Sequence, residues 1–182
     1  PGIRYCVENG LMSGIGNGLF APQMTTTRAQ MVQILYNLAG DPEVSGTTPF
    51  TDLTANWYQN AVLWAYQTGV ASGMSETTFA PDDPVTREQV TVFLAEFADR
   101  VLDKYTPYMW DALFPFQDRE SISYYARTAM NWACNLGLIK GIPGPGGLRL
   151  EPQSYATREQ MAVILAQFCR ELNVWNEPIP EL

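Results

Sequence analysis

Phe79-Ala80-Pro81-Asp82-Asp83-Pro84-Val85-Thr86-Arg87-Glu88-Gln89-Val90-Thr91-Val92-Phe93-Leu94 places a helix start signal directly before a helical apolar stripe. Threonine followed three residues later by glutamine is a capping box, in which side chain and backbone at a helix N-terminus satisfy each other's unpaired groups. Counting from Thr86, positions +4, +7, +8, +11 and +12 are Val90, Phe93, Leu94, Phe97 and Ala98, which share one helix face. The signature occurs twice more. Thr27-Arg28-Ala29-Gln30 leads Met31, Ile34, Leu35, Leu38 and Ala39, and Thr157-Arg158-Glu159-Gln160 leads Met161, Ile164, Leu165, Phe168 and Cys169.

Working outward, the copies share further marks in fixed order. Pro22, Pro81 and Pro152 precede the threonines, and Phe20, Phe79 and Leu150 precede those prolines. Earlier still come Gly10/Gly14, Gly69/Gly73 and Gly137/Gly141. A shorter helix is expected before each first glycine, with an aromatic residue (Tyr5, Trp64, Trp132) beside a small one (Cys6, Ala65, Ala133). Phe50-x-Asp52 with Trp57 returns as Phe116-x-Asp118 with Tyr125, whereas the first copy lacks this opening element, as if the stretch began inside a repeat. The third copy is longer, through a linker around Asp103 to Pro115 and a turn insertion at Gly144-Pro145-Gly146-Gly147. The expected fold is all-α: three helix–loop–helix repeats at 1–41, 48–105 and 114–175, forming one compact module around a central three-helix bundle.

Composition narrows the function. The 182 residues contain no histidine, which removes Ser-His-Asp and Cys-His catalysis and most zinc sites. No isolated carboxylate pair of the glycosidase kind stands out, so no catalytic residue, metal or cofactor is expected, and the chain reads as a non-enzyme. Asp82 and Asp83 lack the alternating oxygen ligands of a calcium loop and read as a solvated turn. A net charge of −8 argues against a nucleic-acid partner, which requires a dense basic field. No apolar run reaches the roughly 18 residues of a membrane span. Cys6 and Cys169 share slots with alanines and read as small buried hydrophobes, and nothing near Cys134 would activate it.

Phe-x-Asp, an aromatic, a helix ending in glycine, Gly-x-x-x-Gly, Phe-x-Pro and the Thr-Arg-Ala-Glu-like tetrad together resemble the S-layer-homology family. The resemblance runs from the start of the chain to about Asn173 and is strongest in the second copy. It implies a pseudo-threefold helical module that attaches non-covalently to secondary cell-wall polymers, typically through pyruvylated amino sugars. It further implies an extracellular location on a bacterial cell wall or S-layer, a cargo domain outside this stretch, and an export signal removed or lying upstream. Here the tetrads end in Gln rather than the frequent Glu, and Leu150 replaces the usual Phe. A protein-interaction or S-layer assembly module without sugar binding is the other reading of the same scaffold.

Arg28, Arg87 and Arg158 occupy the first turn of a helix, where a cation opposes the macrodipole. Three arginines at such a site suggest a further use, the bidentate grip of a carboxylate, with helix N-terminal and loop N–H groups adding donors. The competing reading pairs each arginine with an acid of a neighbouring repeat, Asp52 or Asp118. Trp57 and Tyr125 are candidate groove walls for sugar stacking, whereas Trp64 and Trp132 suit packing better. Asp52 and Asp118 at the head of the second and third copies, with Ser13-Gly14, Ser72-Gly73 and Lys140-Gly141 in the glycine loops, complete the candidate ligand-binding set.

Overall fold

All three capping boxes close in the computed structural model, which describes residues 1–107 and 110–174. Each threonine accepts the N–H of its glutamine, and each glutamine Oε1 accepts the threonine's own N–H at 3.0–3.1 Å. The helices in chain order are α1 Gly2–Glu8, α2 Arg28–Leu38, α3 Gln59–Thr68, α4 Arg87–Arg100, α5 Arg127–Asn135 and α6 Arg158–Glu171. Single 3-10 turns stand at Asn56–Tyr58, Arg119–Ser121 and Tyr124–Ala126. The short helices α1, α3 and α5 stop at or just before Gly10, Gly69 and Gly137, whose φ values of 68°, 77° and 68° lie in the left-handed region. The expected turn insertion of the third copy is a hairpin of β1 Ile142–Gly144 and β2 Gly147–Arg149. Position 175, the expected end of the third copy, lies outside the described residues, as do 108 and 109 in the linker. Among the described residues, no helix is long and apolar enough to cross a membrane.

The apolar stripes are buried as their period requires. Met31, Leu35, Val90, Leu94, Met161 and Leu165 are fully enclosed, and Ala39 at the end of its helix is half-buried. Each such side chain contributes about 1.5–3 kcal/mol on leaving water. What covers them differs from the expectation of long helices packed chiefly on one another. The long helices do meet, α2 against α4 and Phe97 of α4 against Phe168 of α6 at 6.1 Å between ring centroids. Most of each stripe, however, is covered by a short helix from another copy: α1 on α6, α3 on α2 and α5 on α4. Trp64 on α3 reaches Tyr36 of α2 at 5.7 Å and Phe97 at 6.1 Å, and Trp132 on α5 contacts Phe168 at 6.4 Å. Both tryptophans are buried and pack.

The segments before the long helices join the copies through backbone. Thr26 N–H donates to Ala156 O, Ala156 N–H to Val85 O and Val85 N–H to Thr26 O, each at 2.9 Å, so the three bonds close a triangle. The first N–H groups of each long helix are also taken by another copy. Arg28 and Ala29 donate to Asp83 O and Pro81 O, Arg87 and Glu88 to Ser154 O and Pro152 O, and Arg158 and Glu159 to Met24 O and Pro22 O. With the third N–H held by the capping threonine, these helix N-termini have no free donor for an anion, contrary to that part of the sequence reading.

Candidate ligand-binding grooves

The three tetrad arginines are buried, at 5–6% exposure, and each crosses to another copy. Arg28 Nε donates to Phe79 O at 2.8 Å and its Nη2 to Ser72 O at 2.8 Å. Arg158 repeats this with Phe20 O at 2.9 Å and with Ser13 O, and Arg87 Nε donates to Leu150 O at 2.8 Å. Arg28 lies over the Phe79 ring at 4.7 Å and Arg158 over Phe20 at 4.6 Å, a favourable cation–π placement. Burial lowers the pKa of all three guanidinium groups, though arginine remains charged at any physiological pH. Their inter-repeat partners are carbonyls; among the described residues none forms an ion pair with Asp52, Asp118 or another carboxylate. Nη1 of Arg28 and of Arg158, and both Nη atoms of Arg87, make no hydrogen bond among the described residues.

Each arginine opens onto a groove between the glycine loop and the long helix of one copy. Groove A, about 290 Å³, joins the 10–15 loop and α2 with Arg158 and Trp57. Groove B, about 660 Å³, joins the 69–74 loop and α4 with Arg28 and Tyr125. Groove C, about 450 Å³, joins loop residues 137–140 and α6 with Arg87, and Gln23 lines it where the others have an aromatic ring. Ser13 and Gly14 therefore fall together with Arg158 and Trp57; Ser72 and Gly73 with Arg28 and Tyr125; and Lys140 with Arg87. Trp57 and Tyr125 are 56% and 59% exposed, as a stacking surface requires. The buried Glu88 holds the second wall in place, accepting from Tyr125 Oη at 3.1 Å and from Ser123 N–H at 3.0 Å. Burial first, and then Glu88, push the Tyr125 hydroxyl up to about 12.

Asp52 and Asp118 line none of these grooves. Asp52 accepts the N–H groups of Phe79 and Ala80 at 2.9 and 2.7 Å, and Asp118 those of Leu150 and Glu151 at 2.8 Å each. Ala80 and Glu151, like Ala21 in the first copy, have φ of 57°, 51° and 52°, so a side-chain-bearing residue sits in left-handed backbone at each turn. The carboxylates clamp the turn from one side while the arginines hold its carbonyl from the other. Burial alone would raise the carboxyl pKa of Asp52 and Asp118, but backbone N–H donors, helped by the charge of Arg28 for Asp52 and of Arg149 for Asp118, outweigh it and hold both below the usual carboxylate value. Gly14, Gly73 and Gly141 are glycines for close approach: a Cβ on Gly141 would stand 2.6 Å from the Phe116 ring, and one on Gly14 2.8 Å from Leu19 O.

The sequence reading missed the floor of the grooves. It is formed by the capping glutamines Gln30, Gln89 and Gln160 together with long-helix positions +6 and +10 from each threonine, such as Gln33 and Asn37 in groove A. Those positions lie off the apolar stripe at helical spacing, a signal that could have found them. In groove B the +10 residue is Glu96, which is ion-paired with Arg100.

The S-layer homology domain matches at residues 1–32, 49–91 and 115–162, and the chain belongs to that family, with three tandem repeats. It is 30% identical over 91% of its length to a surface-layer 125 kDa protein of Lysinibacillus sphaericus, and 29% identical over 90% to the exoglucanase XynX of Acetivibrio thermocellus. It is 26% identical over 91% to the S-layer protein sap of Bacillus anthracis. The chain spans 13%, 14% and 19% of the lengths of these relatives. It is a surface-anchoring module associated with the cell wall.

Proposed function

We propose that the chain is a non-catalytic anchor that holds an exported protein on the wall by gripping carboxylate-bearing sugars, such as pyruvylated amino sugars, of an anionic secondary cell-wall polysaccharide. One observation carries this reading: three buried guanidinium groups, bonded among the described residues to carbonyls alone, each open onto a groove. A buried cation with no carboxylate in direct contact is costly, and an arriving carboxylate offsets that cost with charge-assisted hydrogen bonds. Grooves A and B add an aromatic wall for a sugar face, and Ser13 and Ser72 add hydroxyls. Lys140 adds a second cation in groove C.

We further read repeats 1–41, 48–105 and 114–175 as a pseudo-threefold ring. The cyclic helix pairing and the closed backbone triangle support that arrangement. Grooves on one ring would let a polymer engage a second site at high effective concentration.

The test is co-sedimentation with purified cell walls before and after chemical removal of pyruvyl groups, using the unaltered chain and Trp57→Ala and Tyr125→Ala variants. Binding should vanish with the pyruvyl groups and weaken in both variants; Trp57→Ala should leave thermal stability nearly unchanged, whereas Tyr125→Ala should also lower it, because the buried Glu88 loses the Tyr125 hydroxyl. Binding that survives depyruvylation refutes the carboxylate mechanism, and binding to neither preparation favours an assembly module.

A further inference from the structure

Along each groove floor the +10 side chain lies seven residues beyond the capping glutamine: Asn37, Glu96 and Gln167. In groove A, Asn37 donates to Gly10 O at 3.1 Å and accepts from Gln33. In groove C, Gln167 donates to Glu171 and accepts from Arg170. Both amides are thus taken up by the protein. Glu96 has only acceptors, and it takes Arg100 Nε, four residues on, where the other copies have Asp41 and Glu171. The Arg100 guanidinium is seated against the glycine loop. A Cβ on Gly69 would stand 3.2 Å from its central carbon, whereas one on Gly10 or Gly137 would meet nothing within 4 Å. Both Nη atoms of Arg100, and Glu96 Oε1, make no hydrogen bond among the described residues, and both side chains reach solvent.

Groove B, about 660 Å³, has more than twice the volume of groove A at about 290 Å³ and exceeds groove C at about 450 Å³. Its two ends differ in chemistry. At the Gln89 end, Arg28 and the Tyr125 ring combine a cation with a stacking face. Seven residues of helix carry the floor about 10 Å further, to Glu96, past Val92 and Phe93. That span fits two linked pyranose rings. At the far end the charge of Arg100 is answered by Glu96, so the pair suits an uncharged group rather than a second acid. Two adjacent hydroxyl oxygens match the free Nη fork, and a hydroxyl proton matches Glu96 Oε1. Resting on the reading of the grooves as sugar sites, we propose that groove B holds two consecutive units of the polymer. The acid-bearing unit sits at Arg28, and an uncharged unit presents its adjacent hydroxyls to Arg100 and Glu96. Grooves A and C, whose far amides are already bonded within the protein, take a single unit.

The test is a nuclear magnetic resonance titration of the full chain, isotope-labelled at its arginine nitrogens. The probes are acid-bearing fragments of one and of two sugar units, made by partial hydrolysis of purified wall polysaccharide and separated by size. Both sizes should shift the Arg28 side-chain signal, and only the two-unit fragments should shift that of Arg100. Followed at Arg28, two-unit fragments should bind about tenfold more tightly, the worth of two modest hydrogen bonds. Arg100→Ala should bring the two sizes within about twofold of each other, and Glu96→Gln should reduce the preference in the same direction. An exposed ion pair adds little to folding, so both variants should keep the melting temperature of the unaltered chain. An Arg100 signal that stays still while two-unit fragments move Arg28 would overturn this inference and leave the carboxylate grip standing. So would an undiminished preference in folded Arg100→Ala. If neither fragment moves Arg28, the carboxylate grip itself fails, and the two-unit groove with it.

Discussion

Replacing Asp118 with alanine removes the acceptor of two backbone N–H groups, those of Leu150 and Glu151, each bonded at 2.8 Å. Leu150 is fully buried, so its N–H finds no water and bears the whole penalty of an unmade bond, about 1–3 kcal/mol. Glu151 is half-buried and can be partly resolvated, so its share is smaller. The sum is about 3 kcal/mol, or roughly 6–12 °C in Tm for a domain of this size. Thermal unfolding followed by far-ultraviolet circular dichroism at neutral pH measures it. A Tm within about 2 °C of the unaltered chain would refute the account of Asp118 as the clamp of this turn.

Gly73→Ala drives a Cβ into the Phe50 ring and the Thr78 carbonyl, and should destabilise by about 1–3 kcal/mol in urea unfolding; a neutral result would mean that the loop yields freely. Thr157→Ala opens one capping box and should lower the urea-derived stability by about 1 kcal/mol, with no change in m-value. The folded-state pKa values of Asp52 and Asp118 lie below the unfolded value of about 3.9, so their stabilisation is complete above that pH and is lost as pH falls through the folded values. Tm should therefore decline steeply below about pH 4, and Asp118→Ala should flatten that decline; an unchanged acid profile in the variant would contradict the linkage.

Local signals were legible wherever a short stretch determines its own geometry. Thr86 with Gln89 specifies a helix start by chemistry that needs no tertiary partner, and Gly69 specifies a left-handed stop in the same way. The stripe from Val90 to Ala98 showed which face is buried, but apolar periodicity carries no record of what covers it. For that reason the short helices of other copies were not foreseen as the main cover. The arginines stood out in the sequence, since a cation in a helical first turn is locally unfavourable. Their carbonyl partners stayed hidden because every residue has a carbonyl and none is marked in sequence. Asp52 was placed with the ligand for the same reason: its partners are the N–H groups of Phe79 and Ala80, 27 and 28 residues away, where nothing but the folded turn puts them within reach.

The backbone triangle of Thr26, Val85 and Ala156 has a consequence for how modules of this kind can change in length. In a stacked solenoid each unit touches only its neighbours, and one more or one fewer alters the ends alone. Here each copy both donates to and accepts from another, and the circuit has no end. Losing one copy would strand an N–H and a C=O at the centre, and a fourth would have no vacancy to enter. Growth or shrinkage one repeat at a time is thereby opposed, and duplication of such an anchor should proceed in complete sets of three.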